Sequence, residues 1–269
     1  MGKQLCVKQI PDWMLVPILD AIPFFRTLRK RGDEQVTQVL DHSIVIEVKP
    51  GEPLFYKGEI DNCLYFVLLG TLMVYPDTEK RHPVGAVYQG EMLGEMALIS
   101  NLHHTATIVG DPNCVRTLVL RLDYSPFGKL EEDQRVPWYT KVALYRSIVT
   151  TLLQRIKDYQ DRYPEFCLDH PLPNIPPFHE KPESVEEIQY LSAKAVKYAH
   201  VLDEWNHQIG ELYYQGGNPR LSALATLVGL LDKGRDSLLP RVQKPLQKAA
   251  GGFKKKVETH NPLLTPMTW

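Results

Sequence analysis

The sequence predicts an α+β fold: an antiparallel β unit flanked by helices, followed by a separate all-helical C-terminal region. Three observations carry this. Apolar residues alternate from Ile44 (Ile44, Ile46, Val48) and continue as short runs between turn signals as far as Leu120. Helical spacing precedes this block over residues 12–40 and returns after it from Pro137 to about Tyr163. Beyond a proline-rich stretch, apolar residues then step by threes and fours through residues 184–231. At 269 residues, 43% apolar and 23% charged, the chain has the composition of a globular protein able to bury a core.

The elements follow in order. Trp13, Val16, Leu19 and Phe24-Phe25 supply the apolar positions of a first helix, and Gly32 breaks it before a second short helix through Leu40, so residues 1–40 read as N-terminal helices. Residues 41–133 carry the strands: Pro53-Leu54-Phe55, Leu64 to Leu69, Leu72 to Tyr75, Thr105 to Val109 and Val115 to Leu120, with glycines at the corners. Residues 134–163 are a long helix opened by Pro137, a residue tolerated in a first turn. Its positions Trp138, Val142, Tyr145, Val149, Leu152, Ile156 and Tyr159 form a heptad stripe. The stripe fits packing on the chain's own β unit and a homodimer seam through 137–163 equally well.

Six prolines (Pro164, Pro171, Pro173, Pro176, Pro177, Pro182) make residues 164–183 a linker, with Phe166, Leu168, Ile175 and Phe178 suited to lying along a surface. Residues 184–250 read as a helical hairpin or small bundle. Ser184-x-x-Glu187 is a capping box, Ile188, Leu191, Ala195, Tyr198, Leu202, Trp205, Ile209 and Leu212 keep a heptad spacing, and Gly216-Gly217 ends that helix. A second helix carries Leu221, Leu224, Val228 and Leu231, which makes helices 184–231 a surface for a protein partner. Residues 251–269, with Lys254-Lys255-Lys256, read as a flexible tail.

Charge and chemistry narrow the function classes. A formal net charge of -1 provides no global positive field for nucleic acid. Cys6, Cys63, Cys114 and Cys167 stand singly, which fits a reducing compartment and neither a disulfide framework nor a zinc knuckle. No apolar run is long enough to span a bilayer and no signal-peptide pattern opens the chain, so a cytoplasmic location with no membrane partner is expected. Glu204-x-x-His207 with His200 and Glu211 shares a helix face, but the second such motif of a di-iron site is missing and a solvated face is expected, with no metal. The phosphate-loop, nucleophile-elbow and zinc-protease motifs are absent as well, so no enzyme is expected.

One constellation carries a function. Pro50-Gly51-Glu52, Gly58, Asp61, Leu64 to Gly70, and Gly90-Glu91-x-x-Gly94-Glu95-Met96-Ala97-Leu98 resemble, in order and spacing, the cyclic-nucleotide-binding domain family of protein kinase A regulatory subunits, cyclic-nucleotide-gated channels and catabolite activator proteins. The resemblance covers roughly residues 20–155. It implies an antiparallel, jelly-roll-like β-roll, a phosphate-binding cassette at Gly94, Glu95, Met96 and Ala97, and contacts from His104, Thr105 and Ala106. In such a cassette the N-terminus of a short helix offers free N–H groups to a cyclic phosphate, and the residue at Glu95 accepts the ribose 2'-hydroxyl. The family's phosphate-pairing arginine falls at His104, with His103 where a proline is common. Loss of a charged bidentate pair is worth about 1.5–3 kcal/mol.

Three outcomes stand at this point: a pocket for cyclic AMP or cyclic GMP with His104 and Thr105 replacing the arginine, a pocket for another ligand, or a structural relic in which Glu95 is a surface carboxylate at a helix start. The resemblance further implies that ligand tightens the long helix against the β-roll. The expected protein is a regulatory or adaptor protein. A transcriptional regulator of the catabolite-activator type and a structural subunit with a non-binding β-roll are the alternatives.

Overall fold

The computed structural model describes residues 3–80, 83–100, 103–128, 130 and 136–214. Among the described residues, nine strands form two antiparallel sheets: β1 (Lys3–Cys6), β2 (Ser43–Val48), β3 (Pro53–Phe55), β4 (Cys63–Leu69), β5 (Thr71–Tyr75), β6 (Gly85–Tyr88), β7 (Met92–Leu93), β8 (Thr107–Gly110) and β9 (Thr117–Asp123). One sheet has the order β1-β2-β9-β4-β7 and the other β3-β8-β5-β6. The helices are α1 (Asp12–Ala21), α2 (Pro23–Arg29), α3 (Asp33–Leu40), α4 (Glu95–Ser100), α5 (Trp138–Arg162), α6 (Pro164–Asp169) and α7 (Val185–Tyr214). This is the α+β roll expected, with helices before and after it.

Strand β4 explains why the apolar run at its centre is continuous. Successive side chains of a strand point to opposite faces. Leu64, Phe66 and Leu68 enter the core shared with the helices, while Cys63, Tyr65 and Val67 enter the interior between the sheets. Both faces are covered, so neither can be polar. On the helix side Phe66 meets Phe24 at 5.9 Å and Phe25 at 5.3 Å between ring centroids, which seats α2 on the sheet. At the β4–β5 corner Gly70 has φ +82°, and a Cβ there would lie 2.6 Å from the Arg116 carbonyl oxygen, so glycine is required.

Several expectations change in detail. Residues 12–40 form three helices, because Ile22 is extended and Pro23 starts a new first turn. Trp13 faces outward at 76% exposure, while Leu15 and Leu19 turn to the core. Strands β1, β6 and β7 were not anticipated, and the strands expected from Thr105 and Val115 begin instead at Thr107 and Thr117. Residues 164–169 of the proline-rich stretch are helical, since Pro164 occupies the first turn and the next proline is Pro171. The stretch lies against the protein: Phe166 of this helix makes an edge contact with Trp205, and beyond it Ile175 packs on the core and Phe178 meets Tyr190.

The two heptad helices pair with each other within one chain. Val142, Tyr145, Val149, Leu152 and Ile156 of α5 share a core with Ile188, Leu191, Ala195, Tyr198, Leu202 and Trp205 of α7. Arg146, near the start of α5, binds Glu187 in the first turn of α7 at 2.7 and 2.9 Å, and Tyr159, near its end, hydrogen-bonds Asn206. Start meets start and end meets end, so the helices run parallel. A parallel pair needs a connection that travels back along the first helix. The 25 residues of α5 are about 37 Å long, and the extended residues 170–183, at about 3.1 Å each, reach about 43 Å. The prolines hold that return path extended. The homodimer seam expected through 137–163 is therefore corrected: α7 and α2 cover the stripe. The apolar face of helix 184–212 is likewise buried within the chain from Ile188 to Ile209, and the second helix expected over 221–231 lies outside the described residues.

The capping box holds, with a second duty. The Glu187 N–H donates to Ser184 Oγ at 3.2 Å, and the Glu187 carboxylate accepts both the Glu183 N–H and the Arg146 guanidinium. Glu187→Ala should keep the Ser184 Oγ cap but remove the carboxylate's bonds to the Glu183 N–H and to Arg146, lowering stability in chemical denaturation by about 1–2 kcal/mol and speeding amide exchange in the first turns of α7.

Candidate ligand-binding site

Strand β7 delivers the chain into Gly94 (φ +88°), which accepts the first helical bond of α4, from the Leu98 N–H at 3.2 Å. A Cβ at Gly94 would stand 2.8 Å from the Cys63 carbonyl oxygen and 3.2 Å from the Tyr65 ring. Close approach to β4 thus demands glycine here before any ligand is considered. Met96 and Ala97 are buried on α4.

Glu95 is the expectation most altered. It is 0% exposed rather than a surface carboxylate, and its Oε1 lies 2.9 Å from Nη1 of Arg155 on α5. Arg155 Nη2 donates to the Met92 carbonyl oxygen at 3.0 Å and stands 3.5 Å from Glu95 Oε2. One guanidinium therefore ties the turn before α4, the cassette carboxylate and the long helix together. Sequence reasoning passed over Arg155, which lies on the polar side of a helical stripe and bears no local mark.

His104 is 4% exposed and turned inward. Its ring stacks on Phe55 at 3.7 Å and 12°, and Nε2 lies 3.3 Å from Asp61 Oδ1. The peptide is pinned as well, the His104 N–H donating to Glu59 O at 2.8 Å and the Gly58 N–H donating to His104 O at 2.9 Å. Asp61 also accepts the Tyr65 hydroxyl and the Cys63 N–H. Burial works to raise the Asp61 pKa, but His104 and Tyr65 facing the carboxylate outweigh it and hold the group below its ordinary value. Burial, then the Asp61 carboxylate, push the Tyr65 hydroxyl far up, so it stays a donor.

Six of the seven expected residues, Gly94, Met96, Ala97, His104, Thr105 and Ala106, line one cavity of about 160 Å³. Glu95 does not line it; Arg155 does. The roll adds Phe55, Val74 and Val87, α5 adds Asp158, Tyr159 and Arg162, and α7 closes the cavity with Leu202, Asn206 and Ile209. Sites for small ligands usually start near 300 Å³; this one is smaller, and α5 and α7 form part of its wall. Asp61 is absent from these walls; it borders a second cavity of about 280 Å³ with Glu52, Glu59 and Arg121. The imidazole of His104 is thus drawn toward a carboxylate outside the cassette cavity. The face bearing His200, Glu204, His207 and Glu211 is exposed, with His207 3.3 Å from Glu211.

Because the folded-state pKa of Asp61 is lowered, its stabilising effect is full above its unfolded value of about 3.9 and is lost as pH falls through the folded value. Asp61→Asn should cost about 1–3 kcal/mol at pH 7. In urea titrations the gap from the wild type should close below about pH 4.

Residues 45–133 match the family model described as the cyclic nucleotide-binding domain. A cGMP-dependent protein kinase of Plasmodium berghei (strain Anka) is 23% identical over 186 residues, which are 69% of this chain and 20% of that protein. Among solved structures, a cyclic nucleotide-binding domain from Methylobacillus flagellatus KT is similar at 18% identity and TM-score 0.44, covering 61% of this chain and 85% of that one. The regulatory subunit of a cAMP-independent protein kinase A from Trypanosoma brucei is similar at 22% identity and TM-score 0.36, covering 41% and 38%. The chain thus spans about a fifth of the curated relative and well under half of the trypanosomal subunit. No helix among the described residues is long and apolar enough to cross a membrane.

Proposed function

We propose that this chain, whose residues 45–133 match the cyclic nucleotide-binding domain model, is a non-enzymatic regulatory protein that converts ligand entry at the cassette into movement of the α5–α7 pair. The single observation that carries this is the Arg155–Glu95 ion pair, which joins the cassette to α5 beneath a roof supplied by α7. A ligand sugar that reaches Glu95 has to take this carboxylate from Arg155. A ligand larger than the present cavity has to lift Leu202, Asn206 and Ile209. Both demands fall on the same helices.

The direction of the response differs from the one the resemblance implied. In the structure α5 is latched to the cassette through Arg155, and on this reading binding loosens α7 instead of tightening α5. Ligand can shift that equilibrium only by its preference for the opened arrangement. The exposed polar face of α7 is then the surface offered to a protein partner in an adaptor role. A transcriptional-regulator role receives less support, since α5 is followed among the described residues by the six-residue α6 and the 30-residue α7 laid along α5. One observation favours a second reading, a structural subunit: Glu95 and His104 already have partners of their own.

Amide exchange separates the two readings. In the full chain, saturation with a cyclic nucleotide that binds by calorimetry should speed exchange across α7 by roughly fivefold or more. Binding without any change in α7 exchange would remove the coupling, and no binding by cyclic AMP or cyclic GMP would leave the structural-subunit reading.

A further inference from the structure

We infer that Arg155 is the phosphate-binding cation of this site, standing in from α5 for the arginine the cassette lacks; the inference rests on the ligand-binding reading above and assigns the ligand an anionic, cyclic-phosphate end. The starting point is where positive charge stands around the cavity. His104 is committed to Phe55 and Asp61. Three cations remain among the described lining residues: Lys57, Arg155 and Arg162. Lys57 and Arg162 are exposed, and each donates to a backbone carbonyl at the rim, Pro76 O at 3.0 Å and Val84 O at 2.9 Å. Charge that stands in water is screened and attracts an anion weakly.

Arg155 differs in burial and in partner. Its side chain is 31% exposed, and besides the Met92 carbonyl it holds the one carboxylate of the cassette. A planar guanidinium can bind two oxygens of a carboxylate or of a phosphate with equal geometric ease, and a partly buried one does so strongly. Ligand entry is then an exchange of partners. The Arg155 guanidinium moves from Glu95 to the cyclic phosphate, and the vacated carboxylate accepts a sugar hydroxyl. No covalent bond is made or broken; Glu95 exchanges a direct ion pair for a hydrogen bond from the sugar hydroxyl, and its charge stays compensated because the guanidinium remains within reach of both anions. Because Arg155 lies on α5, phosphate recognition and helix movement reside in one side chain.

The opposite role makes an opposite forecast. If Arg155 only competes with ligand for Glu95, its removal strengthens binding. The test is calorimetric titration of the full chain with cyclic AMP and cyclic GMP, and with adenosine and guanosine as counterparts without phosphate. Removing Arg155 alone strands a buried carboxylate, so the comparison is also made in a Glu95→Gln background, where Glu95→Gln is set against Glu95→Gln/Arg155→Met.

In both backgrounds Arg155→Met is expected to weaken cyclic nucleotide binding by roughly tenfold or more, Arg155→Lys to restore part of it, and nucleoside binding to weaken far less. Cyclic nucleotide affinity that is unchanged or higher without Arg155, or an equal loss for nucleosides, would overturn the inference while leaving the ligand-binding reading. Wild-type protein that binds none of the four compounds would overturn both.

Discussion

Burying a carboxylate is costly unless it is paired, and Glu95, with no exposure to solvent, has one guanidinium beside it among the described residues, that of Arg155. The placement of α5 follows from that requirement. Once Arg155 must reach both Glu95 and the Met92 carbonyl, the long helix is held across the cassette at a set height. Its apolar stripe then faces α2 on one side and α7 on the other, and the cavity takes its shape from the residues left between them. Ligand chemistry, helix position and core packing are therefore linked through one ion pair.

The parallel arrangement of α5 and α7 gives that linkage its reach. Arg146–Glu187 secures one end of the pair and Tyr159–Asn206 the other, with a continuous apolar seam between. Asn206 also lines the cavity, so the contact that fixes the far end of α7 belongs to the ligand site as well. Disturbance at the cavity is felt first where α7 closes it, while the Glu187 cap and clamp lie several turns away. A helix pinned at one end and contested at the other is suited to pivot instead of detaching.

Much of this fold was legible in the sequence, for local reasons. Alternation at Ile44, Ile46 and Val48, the glycine corners, the Ser184-x-x-Glu187 box and the two heptad stripes each express a rule that acts within a few residues. Lys3–Cys6 could not be read as a strand, because four residues with mixed polarity form β1 only through pairing with Ser43–Val48. The cassette was legible as six residues of one cavity wall. What those residues do was not. Glu95 and Arg155 are 60 residues apart, and Asp61 and His104 are 43 apart; neither pair has a spacing signature, since both arise from tertiary packing. The heptad spacing likewise called for a partner helix without saying that the partner was α7, returned parallel by a run of prolines.

The most direct test of the central linkage is a double-mutant cycle on stability with Glu95→Gln, Arg155→Met and the two combined, measured by urea denaturation at neutral pH. A buried pair that fixes α5 should give a coupling energy of about 2–3 kcal/mol, with the double variant more stable than Arg155→Met alone. Additive losses, with coupling within about 0.5 kcal/mol of zero, would contradict the claim that this ion pair holds the helices to the cassette.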